Sequence, residues 1–561
     1  MPSQPLILDY IYQHEAQRPQ QIYLTQPLGG GAVQDYSWSR CLDEARRMAA
    51  HLQSLQLPPG ARIAILSKNC AHFILAELAI WMAGGTTVAI FPTESAETVR
   101  YVLEHSEASL LFVGKLDGFE TQRAAIPAGL PCIALPLAPA SAADYPRWDD
   151  IIKRTAPLSG QPQRAPGDLA MLIYTSGSTG QPKGVMHSFE RITRSSEAAV
   201  AFLKTLIVAG TPQRVLSYLP LAHVYERAVV ACNSLVEGGV QIYFAESLDT
   251  FLQDLQRARP TVFCSVPRLW LKFQQGVFSK MPAAKLDRLL RIPLLGGIVR
   301  KKVLRGLGLD SVQVAMSASA PIPPALIDWY RKLGLNLLEG YGMTEDFAYS
   351  HSCTRELRAP GRVGIALPGV QTRISEEGEI LVKSPGQLLG YYKRPELNAE
   401  IFTADGFFHT GDKGEYDERG LLKLTGRVKE LFKTSKGKYV APAPLENLLH
   451  AHPFIELSLV SGVGQPEAYA LIVLNETLRP RQQEAATRRE VEQQLSTLLQ
   501  SVNAQLPDYS RLRMLVILPE PWSIENGCLT PTMKVKRARI EGLVAGRLEA
   551  WYAQPGTVQW A

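Results

Sequence analysis

The segment Met171–Ser188, MLIYTSGSTGQPKGVMHS, constrains the chain most. Its apolar run, Met171–Tyr174, reads as a buried strand. A Gly/Ser/Thr-rich loop follows from Thr175 to Lys183, and a helical pattern is predicted to start near His187. Gly177, Gly180 and Gly184 let backbone N–H groups turn inward around an anion. Thr175, Ser176, Ser178 and Thr179 add hydroxyl donors, and Lys183 adds a mobile positive charge. Such a loop suits a polyphosphate. It is not a Walker A loop, which needs Gly-Lys-Ser/Thr, because Pro182 precedes Lys183 and Gly184 follows it.

A strand feeding a phosphate loop needs a sheet around it, and the flanking sequence supplies one. Ala61–Leu66, Thr86–Phe91, Ser109–Gly114 and Pro131–Leu135 read as short buried strands separated by longer amphipathic runs. That alternation predicts α/β architecture with a largely parallel sheet. Ala71–Phe91 is the most apolar stretch, but Glu77 interrupts it and Gly84-Gly85 breaks it. A membrane span needs about 20 apolar residues without such breaks. The segment therefore reads as a buried helix, a glycine turn and a buried strand. VLSYLP, VQIYF, PTVFCSV and VQVAMS continue the pattern between residues 215 and 317.

The texture changes beyond about residue 370, where GEILVKS and GLLKLTG alternate in hairpin fashion between Gly, Asp and Pro. A last block holds an apolar strand, Ala468–Asn475, and a charged helix, Arg488–Leu506. The expected organisation is a large N-terminal α/β body over residues 1–427, with mainly parallel sheets and a β subdomain. A small, mobile α+β lid over residues 428–561 follows it.

Composition sets bounds on partners and compartment. With 561 residues, 46% hydrophobic and 20% charged, the chain can bury a large core and is not disordered. Lys+Arg exceed Asp+Glu by 59 − 53, or +6, too little over this length to imply nucleic acid. The cysteines, Cys41, Cys70, Cys132, Cys232, Cys264, Cys353 and Cys528, form no CxxC pair. Neither a disulfide framework nor a zinc knuckle is indicated, and a reducing, cytoplasmic compartment is expected. The first twenty or so residues lack the basic and apolar regions of a signal peptide.

Around the phosphate loop, further motifs stand in a fixed order. They are SYLPLAHVYER (Ser217–Arg227), PTVFCSVPRLW (Pro260–Trp270), EGYGMTE (Glu339–Glu345), DGFFHTGD (Asp405–Asp412), GRVKELFKTSKGKYVAP (Gly426–Pro442) and ENGCLTPTMKVKR (Glu525–Arg537). Together with YTSGSTGQPKGVMHS they resemble the adenylate-forming, AMP-binding acyl-CoA synthetases and luciferase-like ligases over nearly the whole chain. LPLAHVYER, KTSKGKYVAP and NGCLTPTMKVKR are most similar to the long-chain fatty acyl branch. The resemblance implies an acid–thiol ligase using ATP, Mg2+ and coenzyme A. A fatty carboxylate would attack the α-phosphate to give acyl-AMP and pyrophosphate, and the coenzyme A thiol would then displace AMP.

The same resemblance implies roles for single residues. Glu345, with Thr175, would hold the magnesium ion, since a hard cation prefers oxygen ligands. Thr344 would bond near the α-phosphate; Tyr341 and Gly342 would flank adenine, with Ser319 and Ala320 along its edge. Ala318 stands where many relatives carry glycine. Asp412 would accept from the ribose hydroxyls, supported by Arg427. Lys534 is implied as the adenylation lysine, although Met533 replaces the usual glycine before it. Lys429 would be the hinge that exchanges Lys534 for the coenzyme A-binding hairpin of Ser435, Gly437, Lys438 and Tyr439.

The acyl site is implied at His223, Val224, Tyr225, Ser265 and Val266, whose character suits an alkyl chain and a plain core equally. Between Lys280 and Arg305, eight basic residues face one acid, Asp287, with apolar residues between them. An anionic inner-membrane face, the coenzyme A phosphates and an ordinary solvated helix pair all stay open for it. Two other activities also stay open: delivery of the acyl group to a carrier-protein thiol or other acceptor, and a non-catalytic nucleotide-binding role.

Overall fold

The computed structural model describes residues 4–175, 181–530 and 533–561. A seven-stranded sheet carries the front of the body. Its spatial order is Gly390–Tyr391, Lys183–Ser188, Leu169–Thr175, Thr86–Ile90, Arg62–Leu66, Leu110–Val113 and Cys132–Ala134. The five strands from Leu169–Thr175 onward in that order run parallel, as the alternation of short apolar runs predicts. Ala71–Met82 is a helix buried at all positions, followed by Gly84 at φ +90° and the strand Thr86–Ile90. A helix apolar around its whole circumference belongs inside a large core.

The prediction differs at one place. Lys183–Ser188 is a strand that the reading of a loop leading into the helix did not include, and it pairs antiparallel with Leu169–Thr175 so that Thr175 faces Lys183. Residues 176–180 of the phosphate loop lie outside the described residues. The physical reason is local. Gly184 packs flat against the Tyr174 ring, where a Cβ would come within 3.2 Å of it. The helix begins at Phe189, capped by the Ser188 hydroxyl, which accepts from the Arg191 N–H at 3.3 Å.

Two further sheets complete the α/β part. Ala32–Ser37, Ile22–Gly29, Val240–Phe244 and Gln213–Ser217 form one. Val262–Ser265, Val314–Ser317, Leu337–Tyr341, His351–Ser352 and Ile365–Ala366 form the other. Gln371–Ile374, Glu379–Lys383, Phe408–Tyr416 and Leu422–Arg427 make a separate antiparallel sheet. After a single turn, Val428–Glu430, comes a mixed sheet of Ile455–Ser461, Ala468–Leu474, Leu512–Ile517 and Val558–Trp560. Ala468–Leu474 is buried throughout, with a period of two. Ala468, Ala470, Ile472 and Leu474 enter one apolar cluster, and Tyr469, Leu471 and Val473 enter the cluster on the opposite face.

Ion pairs are among the contacts that join the C-terminal unit to the body. Arg268 and Lys272 lie one turn apart on the body helix Pro267–Lys280. Arg268 pairs with Glu456, which also meets Arg479 at 2.9 Å, and Lys272 pairs with Glu476 at 3.3 Å. Inside the body, a buried pair joins Glu77 of the apolar helix to Arg227, whose Nε also donates to the Leu221 carbonyl at 2.8 Å.

Two outcomes follow from these pairs. Glu77→Ala leaves the Arg227 charge buried and unpaired, and is expected to cost about 3–5 kcal/mol. Glu77→Leu combined with Arg227→Met should recover most of that loss, read as the urea midpoint of the body. Arg268→Glu is expected to speed tryptic cleavage at Arg427 and Lys429 by loosening the C-terminal unit. The exchange Arg268→Glu with Glu456→Arg should return cleavage toward the wild-type rate, with an interaction energy of roughly 1 kcal/mol.

Candidate functional site

The candidate site lies where the ends of three sheets and the C-terminal unit converge. The strand Leu337–Tyr341 runs into the short turn Thr344–Asp346. Gly342 is needed between them, because a Cβ there would come within 2.8 Å of the Ala348 backbone. His187 Nε2, from the strand after the phosphate loop, donates to the Thr344 carbonyl at 2.8 Å. Burial pushes this imidazole down to about 4, although the Thr344 bond pulls it back up. His187 is therefore a neutral peg beneath Thr344.

Glu345 is fixed from a different direction. Its backbone carbonyl accepts from the Leu388 N–H at 2.8 Å, and its Oε1 accepts from the Tyr391 hydroxyl at 2.8 Å. The Lys183 ammonium sits 5.0 Å from the centre of the same Tyr391 ring. Tyr391 thus joins the end of the phosphate loop to the acidic turn. Sequence reasoning missed both Tyr391 and His187; the aromatic pair in GYYKRPE (Gly390–Glu396) and a histidine in the phosphate-loop strand were the available signals.

Asp412 lies on the strand Phe408–Tyr416, directly across from Arg427 on the strand Leu422–Arg427. It is buried, with Oδ2 accepting from the Tyr341 hydroxyl at 2.8 Å and Oδ1 accepting from Arg427 Nε at 2.8 Å. The Tyr341 hydroxyl is thereby committed to Asp412, which fixes the plane of the ring. Each carboxylate oxygen keeps lone-pair capacity for a further donor.

Lys534 comes to the same place from the C-terminal unit. The residue is exposed, while neighbouring protein atoms crowd its ammonium. That desolvation and the Arg427 charge hold its ammonium below the ordinary lysine range, while Asp412, Glu345 and Glu430 pull it up. Lys534 also acts on His223. Burial first, and then the Lys534 charge, push that imidazole down to about 3. His223 Nδ1 accepts from the Tyr225 N–H at 3.2 Å, so the neutral ring carries its proton on Nε2. The structure thus gathers Lys183, Thr344, Glu345, Asp412, Arg427, Lys534 and His223.

The acyl candidates line up beside His223. Val224 and Tyr225 are buried in the turn after it, and Ser265 is buried at the end of the strand Val262–Ser265. Val266 opens the helix Pro267–Lys280. The adenine-edge pair sits just past the strand Val314–Ser317. Ser319 adopts φ +71°, a left-handed conformation uncommon outside glycine, and Ala320 is exposed.

The hairpin candidates belong to the C-terminal unit. Ser435, Gly437, Lys438 and Tyr439 are all exposed. The Ser435 N–H donates to the Gln465 carbonyl and the Gly437 N–H to the Thr434 carbonyl, each at 2.9 Å, so both bonds stay within the C-terminal unit. Gly437 at φ +77° is what this tight turn requires. Lys429 lies exposed in the turn Val428–Glu430. Among the described residues, no three His, Cys, Asp or Glu side chains converge to hold a metal ion. One carboxylate beside a polyphosphate does fit magnesium, which takes one or two carboxylates and completes its shell with phosphate oxygens and water.

This architecture is shared with solved structures. The adenylation domain of a carboxylic acid reductase from Segniliparus rugosus superposes with a TM-score of 0.79, at 23% identity, over 98% of this chain and 93% of that one. O-succinylbenzoate coenzyme A synthetase from Bacillus subtilis gives 0.72, at 21% identity, over 95% of this chain and 98% of that one. In sequence, the chain is 32% identical to the long-chain-fatty-acid–CoA ligase FadD15 of Mycobacterium bovis, over 97% of this chain and 96% of that protein. It is 27% identical to the human long-chain-fatty-acid–CoA ligase 1, over 91% and 81% respectively. Residues 11–392 match the family described as AMP-binding enzyme, and residues 430–555 match the AMP-binding enzyme C-terminal domain. The chain belongs to the AMP-binding, adenylate-forming enzyme family, and within it is similar to the long-chain-fatty-acid–CoA ligases.

Proposed function

We propose that this protein joins a long-chain fatty acid to coenzyme A through an acyl-AMP intermediate. One observation supports the reading above the others: the Lys534 ammonium of the C-terminal unit lies within range of the charges of Arg427, Asp412 and Glu345 of the body. A carboxylate oxygen attacks the α-phosphorus of ATP, and pyrophosphate leaves with the bonding pair. Two anions must approach, so the protein's part is positive charge and positioning. Lys534 bridges the acid and the α-phosphate as charge shifts between them. Lys183, with Thr175, Ser176, Gly177, Ser178, Thr179 and Gly180, cradles the β- and γ-phosphates. Asp412 and Arg427 hold the ribose; Tyr341, Gly342, Ser319 and Ala320 bound the adenine, and Thr344 bonds the α-phosphate.

A magnesium ion, when bound, neutralises phosphate charge, and Glu345 with Thr175 would hold it. His223 stays neutral and closes the polar end of an acyl channel walled by Val224, Tyr225, Ser265 and Val266. Each methylene buried there is worth about 0.8 kcal/mol. For the second step we assign the hinge to Lys429. Rotation there withdraws Lys534 and brings in Ser435, Gly437, Lys438 and Tyr439 to guide the pantetheine arm. The thiol sulfur then attacks the acyl carbon, AMP leaves as its anion, and the thiol proton passes to solvent.

Pyrophosphate release measured over a panel of carboxylic acids, with and without coenzyme A, tests the reading. Long-chain acids should give release, and coenzyme A should turn it over into acyl-CoA. Release that is pulled forward by acyl carrier protein and not by coenzyme A assigns the acceptor to a carrier thiol. ATP binding without turnover of any acid overturns the enzyme. Lys534→Ala should lower the pyrophosphate-exchange rate by roughly 10²–10³ and leave ATP binding nearly unchanged.

The pH profile carries a further outcome. Ammonium is the active form of Lys534, and its pKa lies below the ordinary value of about 10.4 in the free enzyme. The kcat/KM for adenylation should therefore fall as pH rises through that lowered value. Lys534→Arg should remove this alkaline limb while lowering the plateau. An unchanged limb would place the titration on another group.

A further inference from the structure

Tyr391 carries its hydroxyl to Glu345, whereas its neighbour Tyr392 enters an aromatic pile that the proposed reaction does not use. His105 is the centre of that pile. Its ring stacks on Tyr101, with centroids 5.2 Å apart and planes 23° apart. It meets Tyr174 and Tyr392 nearly at right angles, each at 5.8 Å. Tyr101 and His105 lie one turn apart on the helix Ala96–His105, so one face of that helix presents both rings.

The polar atoms of the pile reach both ends of the phosphate loop. Tyr174 precedes Thr175 and Pro182 precedes Lys183, and Thr175 pairs with Lys183 across the two strands. The loop therefore leaves and re-enters the sheet through one neck. On the entry side, His105 Nδ1 and the Tyr174 hydroxyl are hydrogen-bonded at 2.8 Å. On the exit side, the Tyr101 hydroxyl donates to the Pro182 carbonyl at 3.1 Å, and the Tyr392 N–H donates to the Gly184 carbonyl at 2.8 Å. Two residues of one helix thus grip the two sides of the neck.

That helix is itself fixed. Val99, Val102 and Leu103 are buried in the apolar cluster that also receives Leu172 and Tyr174. The Ser95 hydroxyl caps its first turn, accepting from the Thr98 N–H at 3.2 Å. At its other end the Lys393 ammonium donates to the His105 carbonyl at 3.2 Å and pairs with Glu107 at 2.9 Å. Glu107 also takes Arg62 at 2.7 Å and the Tyr392 hydroxyl at 3.1 Å. An ordinary core needs only the apolar side of this arrangement. Tyr101 is half-buried, yet its hydroxyl is committed to a carbonyl at the mouth of the loop.

We infer that Tyr101 and His105 are positioning residues for the phosphate loop, holding its neck so that the loop can take the β- and γ-phosphates of a nucleoside triphosphate. The inference rests on the proposed reading of that loop and deepens it. Ordering a loop around an anion costs conformational entropy, and a neck fixed beforehand lowers that cost. The adenosine and the α-phosphate are assigned to other residues: Tyr341, Asp412, Arg427 and Thr344. The effect of the pile therefore belongs to the outer phosphates alone.

Calorimetric titration of the full-length protein with ATP and with AMP, magnesium present, tests this. Tyr101→Phe keeps the ring and removes one bond. It should raise the Kd for ATP by about threefold to tenfold, and leave the Kd for AMP and the thermal transition nearly unchanged. His105→Ala removes the ring as well and should weaken ATP by about tenfold or more, again sparing AMP. His105→Asn, which returns a polar atom near the Nδ1 position, should recover part of that loss. In pyrophosphate release the same variants should raise the KM for ATP and not the KM for the fatty acid. Unchanged ATP affinity in folded Tyr101→Phe protein overturns the inference. Equal losses for ATP and AMP in both variants also overturn it, because they mark general loosening. A wild type that binds ATP and turns over no acid overturns the proposed activity, while the comparison of ATP with AMP still decides the inference.

Discussion

Like charges meeting in a cleft are the constraint on which the site depends. Arg427, at the edge of the body, and Lys534, from the C-terminal unit, are close enough that Arg427 pulls the Lys534 ammonium down. Asp412 sits with them and takes the Arg427 Nε directly. One carboxylate shared between two cations leaves net positive charge in a partly desolvated space, which is unfavourable until an anion arrives. A polyphosphate removes that penalty. On the proposed reading, this charge couples seating of the C-terminal unit to capture of the nucleotide.

The same constraint explains how the unit is attached. Its own sheet is sealed by apolar clusters on both faces, and both clusters are built from residues of the C-terminal unit itself. Its contacts with the body include Arg268–Glu456 and Lys272–Glu476, pairs at least partly open to water, and the Lys536 charge acts on the half-buried Glu94 carboxyl, lowering it against the desolvation that raises it. Partly exposed ion pairs are individually weak. A weak ionic seat can balance the Arg427–Lys534 repulsion without locking the unit down. The body uses charge differently: Glu77 and Arg227 are buried together, and Arg227 reaches the Leu221 carbonyl, which braces the turn carrying His223.

Much of this was legible in the chain. The helix, glycine turn and strand within Ala71–Phe91, and the alternation of Ala468–Leu474, follow from local hydrophobic period and were read from it. Lys183–Ser188 was misread because its strand character depends on Tyr174, whose ring receives Gly184 from the neighbouring strand. Tyr391 and His187 escaped notice for a similar reason. Tyr391 meets Glu345 across 46 positions of chain and His187 meets Thr344 across 157, so neither contact leaves a local pattern. Motif order found the groups expected to touch substrate; only folding revealed what holds those groups in place.

The exposed hairpin Ser435–Tyr439 gives the last step. It carries Lys436, Lys438 and an uncovered Tyr439, yet its backbone bonds at Ser435 and Gly437 are satisfied inside the C-terminal unit. On the proposed reading it and Lys534 serve successive steps at one cleft, moving together as one body after the turn Val428–Glu430. A rigid body pivoting at one turn cannot present two separate faces to the same cleft at once. The two half-reactions are then separated in time by geometry. On the same reading, loss of pyrophosphate takes most of the negative charge out of the cleft, which weakens the hold on Lys534 when the acyl-AMP is ready for the thiol.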